Sequence, residues 1–208
     1  MKKYLLLACV AMVTALYVSG CACGNEERVH ETKVRLALDS AARSEQKETT
    51  FFLGFTVGMT ESQVVDHLRR LHREGKVYLE GDRFTYDYTH SNGLVTQIIF
   101  SPQYYDGGLY VMDYYLSGKT AKGLKNVFLL MLMDFKDTKE ADGFQLWERN
   151  DSEGNTVYYE IKDNLIVSFY NHGYGSVMSY EDAPTARKAE QSKKEEDEKK
   201  WKESASEF

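Results

Sequence analysis

Leu53-Gly54-Phe55-Thr56-Val57-Gly58-Met59-Thr60-Glu61-Ser62-Gln63-Val64 is the stretch on which the reading of the fold turns. Its first part, with Phe51 and Phe52 ahead of it, is aromatic and apolar enough to predict a short buried strand over 51–57. Its second part predicts a helix start. Thr60 stands where it can accept from the backbone of Gln63, Gln63 where it can reach back, and Met59 where it can pack on Val64. Val64, Leu68 and Leu71 then recur at i, i+4 and i+7 on one apolar stripe. Arg69, Arg70 and Arg73 gather where the helix dipole favours cations, and Gly75 supplies a stop.

Strand patterns follow this helix. Phe84, Tyr86 and Tyr88 alternate with Arg83, Thr85 and Asp87, Asn92-Gly93 predicts a type I′ hairpin, and Leu94–Phe100 reads as the return strand. A loop over Ser101–Gly108 and a strand over Leu109–Leu116 come next. A second helix, Ala121–Lys136, is apolar almost all round between Val127 and Met133, which predicts a sandwiched helix. Further strands are expected at Phe144–Arg149, Val157–Ile161, Leu165–Tyr170 and Ser176–Tyr180. Gly58-Met59-Thr60 and Gly118-Lys119-Thr120 open the two helices 60 residues apart, and the turns at Asn92-Gly93-Leu94 and Asp163-Asn164-Leu165 lie 71 apart. The pattern predicts an α+β domain over 51–182. Two tandem helix-plus-antiparallel-meander halves, 51–117 and 118–182, would place their helices on one face of the sheet.

The motif from Leu53 to Thr60, running into Glu61-Ser62-Gln63-Val64, resembles the opening of tandem repeats in small secreted proteins. Those repeats occur in the beta-lactamase inhibitor protein family, in outer-membrane assembly lipoproteins and in lipoproteins of gut Bacteroidetes. The resemblance covers about residues 51–182 and implies a tandem helix-plus-sheet fold whose sheet face often binds proteins. The inhibitor's disulfides are absent and none of its contact residues is matched, so its target is not implied.

The two ends read differently from this middle. Lys2 and Lys3 precede an uncharged apolar run of 15 residues, Tyr4–Val18. Such a run spans about 22 Å as a helix, short of the roughly 30 Å hydrocarbon core, and fits a secretory signal over 1–20. Val18-Ser19-Gly20-Cys21 resembles the bacterial lipobox, which implies cleavage before Cys21 and acylation of its thiol. Cys9 then leaves with the signal and Cys23 stands alone, so no disulfide framework is expected. Residues 21–50 read as a lipidated N-terminus and polar tether, with Val34, Leu38, Ala41 and Ala42 compatible with one helical face and Val34, Leu36 and Leu38 with a strand. The tail, 183–208, balances seven basic against seven acidic residues and pairs Glu195/Lys199, Glu196/Lys200 and Glu198/Lys202 at i, i+4. It is expected to be disordered or a solvated helix that does not dock firmly.

Composition excludes several classes. With 208 residues, only 2 prolines and 13% aromatics, the chain is neither fibrous nor a disordered polyelectrolyte. A net charge of -6 leaves no electrostatic footprint for nucleic acid. Gly118-Lys119-Thr120 lacks a phosphate loop's leading glycine, because Asp113 stands at that position. His67 and His72 are five apart and do not share a face as a zinc pair would, so neither metal nor cofactor is expected. Asp87 and Glu160 sit on strands, where alternation places them on a solvated face.

The tyrosines carry more. Tyr104 and Tyr105 in Pro102–Gly108, and Tyr170, His172 and Tyr174 in Tyr170–Gly175, combine aromatic rings with glycine and polar residues, a composition suited to recognition loops. The chain therefore reads as a lipid-anchored cell-envelope protein, non-catalytic, that binds an envelope protein through its sheet face or these loops. A glycan-binding accessory or a carboxylate-based hydrolase are the alternatives. Ala22 after Cys21 lacks the aspartate that marks inner-membrane retention in enteric bacteria, which points to the outer membrane.

Overall fold

The computed structural model describes residues 28–118, 127–172 and 175–205. The chain divides into two compact units, 1–37 and 38–208. In the first, the described residues 28–37 are helical, and the helix, α1, runs over 28–41. Among the described residues, the strands and the remaining helices lie in the second unit.

Eight strands form one antiparallel sheet, so the class is α+β. A first meander comprises β1 (Tyr78–Glu80), β2 (Arg83–Thr89), β3 (Val95–Tyr105) and β4 (Gly108–Gly118). A second comprises β5 (Gln145–Asn150), β6 (Thr156–Lys162), β7 (Leu165–His172) and β8 (Gly175–Asp182). The order β1-β2-β3-β4-β8-β7-β6-β5 joins the meanders at their last strands, so β4 and β8 are central. Each meander follows a helix, α2 (Glu61–Arg73) and α3 (Val127–Ala141).

Strand alternation sorts the side chains onto two faces. Met112 and Tyr114 on β4, Met178 and Tyr180 on β8, and Val167 and Phe169 on β7 form one buried cluster with Val64, Leu68 and Leu71 of α2 and Phe128 and Met131 of α3. The opposite side chains, among them Asp113, Ser179, Glu181, Ser168 and Tyr170, face away from that core and line a cavity.

Helix α2 starts as its sequence dictates. The Thr60 side chain accepts from Gln63 N at 3.3 Å and Gln63 Oε1 accepts from Thr60 N at 2.9 Å, closing the capping box. The segment ahead of it is not a strand. Phe52–Gly54 is a single 3-10 turn with Leu53 and Gly54 at φ 61° and 78°, and Thr50 and Thr56 meet in an isolated bridge. Gly58, at φ 83°, then runs against Gly108: a Cβ on Gly108 would come within 3.2 Å of the Gly58 Cα. Gly58 N donates to Leu109 O at 2.8 Å, and Leu109 N donates to Met59 O at 2.7 Å. The apolar run thus packs its rings onto the core side of the sheet, Phe51 on Tyr180, Phe52 on Tyr114 and Phe55 on Phe100, instead of pairing along a strand.

The turns also redistribute. At Ser91-Asn92-Gly93 only Gly93 takes positive φ, 80°, and His90 pairs with Leu94 around a three-residue loop, not a two-residue type I′ turn. Both residues of Asp106-Gly107 are at positive φ, 49° and 75°, with Tyr105 paired to Gly108. That is the type I′ position, and the expected loop Ser101–Gly108 is largely strand. Pro102 is tolerated there because β2 pairs with β3 only as far as Ile99, beyond which β3 is an edge.

Helix α3 lays Val127, Phe128, Met131 and Leu132 on the core and leaves Met133 74% exposed, so it is not sandwiched as its composition suggested. The charged tail is a 23-residue helix, α4 (Ala183–Ala205). Glu196–Lys200 at 2.7 Å and Glu198–Lys202 at 4.0 Å form as the spacing predicts, whereas Glu195 accepts from Gln191 at 3.0 Å. Only its start is packed: Ala183 is buried and Pro184, Thr185 and Ala186 are half-buried, while Ser192, itself exposed, shares a 2.8 Å hydrogen bond with Tyr105 Oη.

Candidate ligand cavity

A cavity of about 740 Å³ lies between the second face of the sheet, the first turns of α4 and Leu38, Asp39 and Ala42. Its floor is built by alternate residues of four neighbouring strands: Asp113 on β4, Ser179 and Glu181 on β8, Ser168 and Tyr170 on β7, and Tyr159 on β6. Small side chains on α4, Ala186 and Ala189, form part of the roof. Leucine-sized residues at those positions would project into the space and narrow it.

A bulge sets one wall. Gln103 pairs with Val111 and Tyr104 with Leu109, which leaves Tyr110 without a partner across the β3–β4 ladder. The extra residue lets Tyr110 and Val111 both line the cavity while Leu109 turns to the core. Tyr110 Oη donates weakly to Gln103 Oε1 at 3.4 Å, and Gln103 Nε2 donates to Asp113 Oδ2 at 2.7 Å. Ser179 Oγ donates to Asp113 Oδ1 at 2.6 Å. Asp113, 8% exposed, is therefore gripped through both oxygens, each of which keeps a lone pair for a ligand.

Glu181 is the contrasting carboxyl. No hydrogen bond to it comes from a described residue. Burial pushes it up to about 7, and the nearby carboxylates of Asp113, Asp182 and Glu190 push the same way. Burial also raises the Tyr170 phenol to about 12 and lifts those of Tyr159 and Tyr110. Asp39, Asp113, Glu181 and Glu190 face only Arg187 and Lys193 across the cavity, so its lining is acidic.

Of the residues singled out from sequence as recognition loops, Tyr170 alone lines this cavity. Tyr104 ends in a buried hydroxyl without a described partner, packed on the core, and Tyr105 holds α4. His172 closes β7; Tyr174 and Cys21 lie outside the described residues. The two tyrosine loops are not one surface. The β3–β4 turn sits at the Gly108 end of β4, while the last described pair of β7 and β8, His172↔Gly175, lies beyond the Leu116↔Ser176 pair at its other end. Eight residues of strand, roughly 27 Å, separate Gly108 from Leu116.

Asp87 and Glu160 do not meet either. Four strands, β3, β4, β8 and β7, lie between β2 and β6, placing the pair about 24 Å apart. Asp87 accepts from Tyr78 Oη. Glu160 faces the helices and is 1% exposed, which overturns its expected place on a solvated face. Burial raises it to about 7 against the pull of Lys139, and its Oε2 has no described partner.

A second constellation has triad connectivity that the sequence did not suggest. Asp134 Oδ2 lies 2.7 Å from His90 Nδ1, and His90 Nε2 lies 2.7 Å from Thr96 Oγ1. Thr96 is 0% exposed, so no substrate reaches its hydroxyl. The chain of bonds instead ties the β2–β3 hairpin to α3. His67 is likewise structural, with Nε2 donating to Leu53 O at 2.9 Å and Nδ1 accepting from Arg70 at 2.8 Å. Among the described residues no cluster of His, Cys, Asp and Glu could hold a metal ion, and no helix is long and apolar enough to cross a membrane.

Comparisons with family models, curated proteins and solved structures return no match to this chain. The residues that sequence reasoning passed over, Asp113, Ser179 and Glu181, carried one legible signal. Polar side chains alternate with Met112, Met178 and Tyr180 in strands that are otherwise core-forming.

Proposed function

We propose that the protein is a lipid-anchored envelope protein that binds a small glycan in the cavity on the second face of its sheet. The observation that carries this reading is the lining: tyrosine rings at Tyr110, Tyr159 and Tyr170 around a carboxylate, Asp113, held by Gln103 and Ser179. Sugar rings present C–H faces that lie on aromatic rings and vicinal hydroxyls that donate to a carboxylate. A volume of about 740 Å³ falls within the roughly 300–1,000 Å³ of small-ligand sites. The anchor follows from the lipobox-like Val18-Ser19-Gly20-Cys21. A face made jointly by the two tyrosine loops has no support, because they stand at opposite ends of the central strands.

The test uses the full chain in detergent on an array of bacterial and host glycans, followed by calorimetry with the retained sugar. Tyr170→Ala and Asp113→Asn should each weaken binding at least 10-fold with the far-UV circular dichroism of the wild type, Asp113→Asn at a lower Tm because one of its two acceptor atoms becomes a donor. Met133→Ala, on the exposed side of α3 and outside the cavity, should bind as the wild type does. An array with no retained glycan, or variants that bind unchanged, would overturn the reading.

A further inference from the structure

Of the four carboxyl groups that line this cavity, Asp113 and Glu181 stand on the sheet, and their surroundings differ in a way that ligand retention alone does not require. In the β4–β8 ladder Asp113 pairs with Ser179 and Val111 pairs with Glu181. Asp113 and Glu181 are therefore diagonal neighbours on one face of the sheet, with backbones about 7–8 Å apart. Both line the cavity. Asp113 receives two short hydrogen bonds, whereas Glu181 receives none from the described residues.

Resting on the glycan reading, we propose that the cavity also cleaves the glycosidic bond of its ligand, with Glu181 as proton donor and Asp113 as general base. Inverting glycoside hydrolysis sets its carboxyls about 6.5–9.5 Å apart, so that a water fits between one of them and the anomeric carbon, and side chains carried on backbones about 7–8 Å apart can reach that span. Glu181 gives its proton to the departing glycosidic oxygen as the C1–O bond breaks. Water attacks C1 from the opposite face, its oxygen forms the new C1–O bond, and Asp113 takes its proton. Solvent returns a proton to Glu181 and removes one from Asp113. The products are a hemiacetal of inverted configuration and an alcohol, and no oxidant, metal or cofactor enters the balance.

The groups facing Glu181 suit a donor. Asp113 on β4, Asp182 on β8 and Glu190 on α4 push its proton affinity up together with burial, and it reaches about 7. Asp39, Arg187 and Lys193 also line the cavity. An acid must still hold its proton at working pH, and general acid–base residues contribute about 10²–10⁴-fold. Gln103 and Ser179 serve as positioning residues that aim the Asp113 carboxylate.

The experiment incubates the full chain with the retained oligosaccharides and with a panel of 4-nitrophenyl and 2,4-dinitrophenyl glycosides. Reducing-end release is measured, and the anomer first formed is read by proton NMR. Turnover should give the inverted anomer and should fall as pH rises through about 7. Glu181→Gln should keep glycan binding but lose at least about 100-fold of turnover, most of it restored with the dinitrophenyl leaving group, which needs no proton. Asp113→Asn should lose turnover on both leaving groups. Binding without turnover on every substrate overturns the hydrolysis and leaves the binding reading standing. Absence of both overturns both. Turnover unchanged in Glu181→Gln, or a retained anomer, removes the assigned roles.

Discussion

Replacing Asn164 tests how the cavity roof is held to the sheet. Asn164 sits in the two-residue turn between β6 and β7, is 1% exposed, and uses every polar atom of its amide. Its Oδ1 accepts from Glu48 N at 2.6 Å, and its Nδ2 donates to Glu48 O at 2.9 Å and to Asp182 Oδ1 at 2.6 Å. Asp182 Oδ2 accepts from Thr185 Oγ1 at the start of α4, and Ala183 N donates to Asn164 O at 2.9 Å. One side chain thus joins the segment before the 3-10 turn, the β6–β7 turn and the first turn of α4. Asn164→Ala removes three hydrogen bonds worth about 1 kcal/mol each and leaves their partners unpaired in a closed space. The expected loss is about 3 kcal/mol. In a domain of this size that lowers Tm by about 6–12 °C. Asn164→Asp keeps the acceptor but turns oxygens toward Glu48 O and the Asp182 carboxylate, and should cost at least as much at pH 7. Urea denaturation followed by far-UV circular dichroism, with m unchanged from the wild type, measures both. A loss below about 1 kcal/mol in either variant would refute the network as the tie between roof and sheet.

Other consequences are as direct. Glu160 is raised to about 7 from its ordinary 4.5, so the folded state binds more protons than the unfolded state between those values. Its contribution to stability is present below about pH 4.5 and is lost as pH rises toward 7, so Glu160→Gln should be more stable than wild type at pH 8 and nearly equal at pH 4. Equal stability at pH 8 would contradict this. Met178→Ala, in the middle of the core beside Tyr114, should cost about 2–5 kcal/mol in the same urea titration. Thr60→Ala removes the helix cap and should cost about 1 kcal/mol, with Thr60→Ser nearly silent. Removing residues 195–208 should change Tm by less than about 2 °C, because α4 is exposed there, whereas removal from Ala183 onward opens the cavity and should lower Tm sharply.

Much of the secondary structure was legible because it obeys local rules. The capping box at Thr60, the stripe of Val64, Leu68 and Leu71, and the alternation of Phe84, Tyr86 and Tyr88 each depend on residues within a turn or two of one another. The misreadings share a cause as well. Phe51–Val57 looks like a strand because its residues are apolar, yet Leu53 and Gly54 at positive φ break the extended run and its rings pack on the core instead. Met133 is apolar but exposed, and Glu160 is charged but buried, because face and depth depend on what a strand or helix packs against.

Sequence by itself determined the class of the fold, the start of α2 and two of the ion pairs of α4, since periodicity, capping and i, i+4 spacing are local properties of the chain. Only the tertiary structure decided that β4 pairs with β8, and that pairing creates the cavity. Asp113 and Glu181 are 68 residues apart in sequence and become diagonal neighbours through hydrogen bonds between those two strands. Asn164 reads as a turn residue until Glu48 and Asp182 close around it. The physical reason is that strand pairing and desolvation are contributed by partners distant along the chain, and they set which polar side chains are brought together and how strongly each holds its proton.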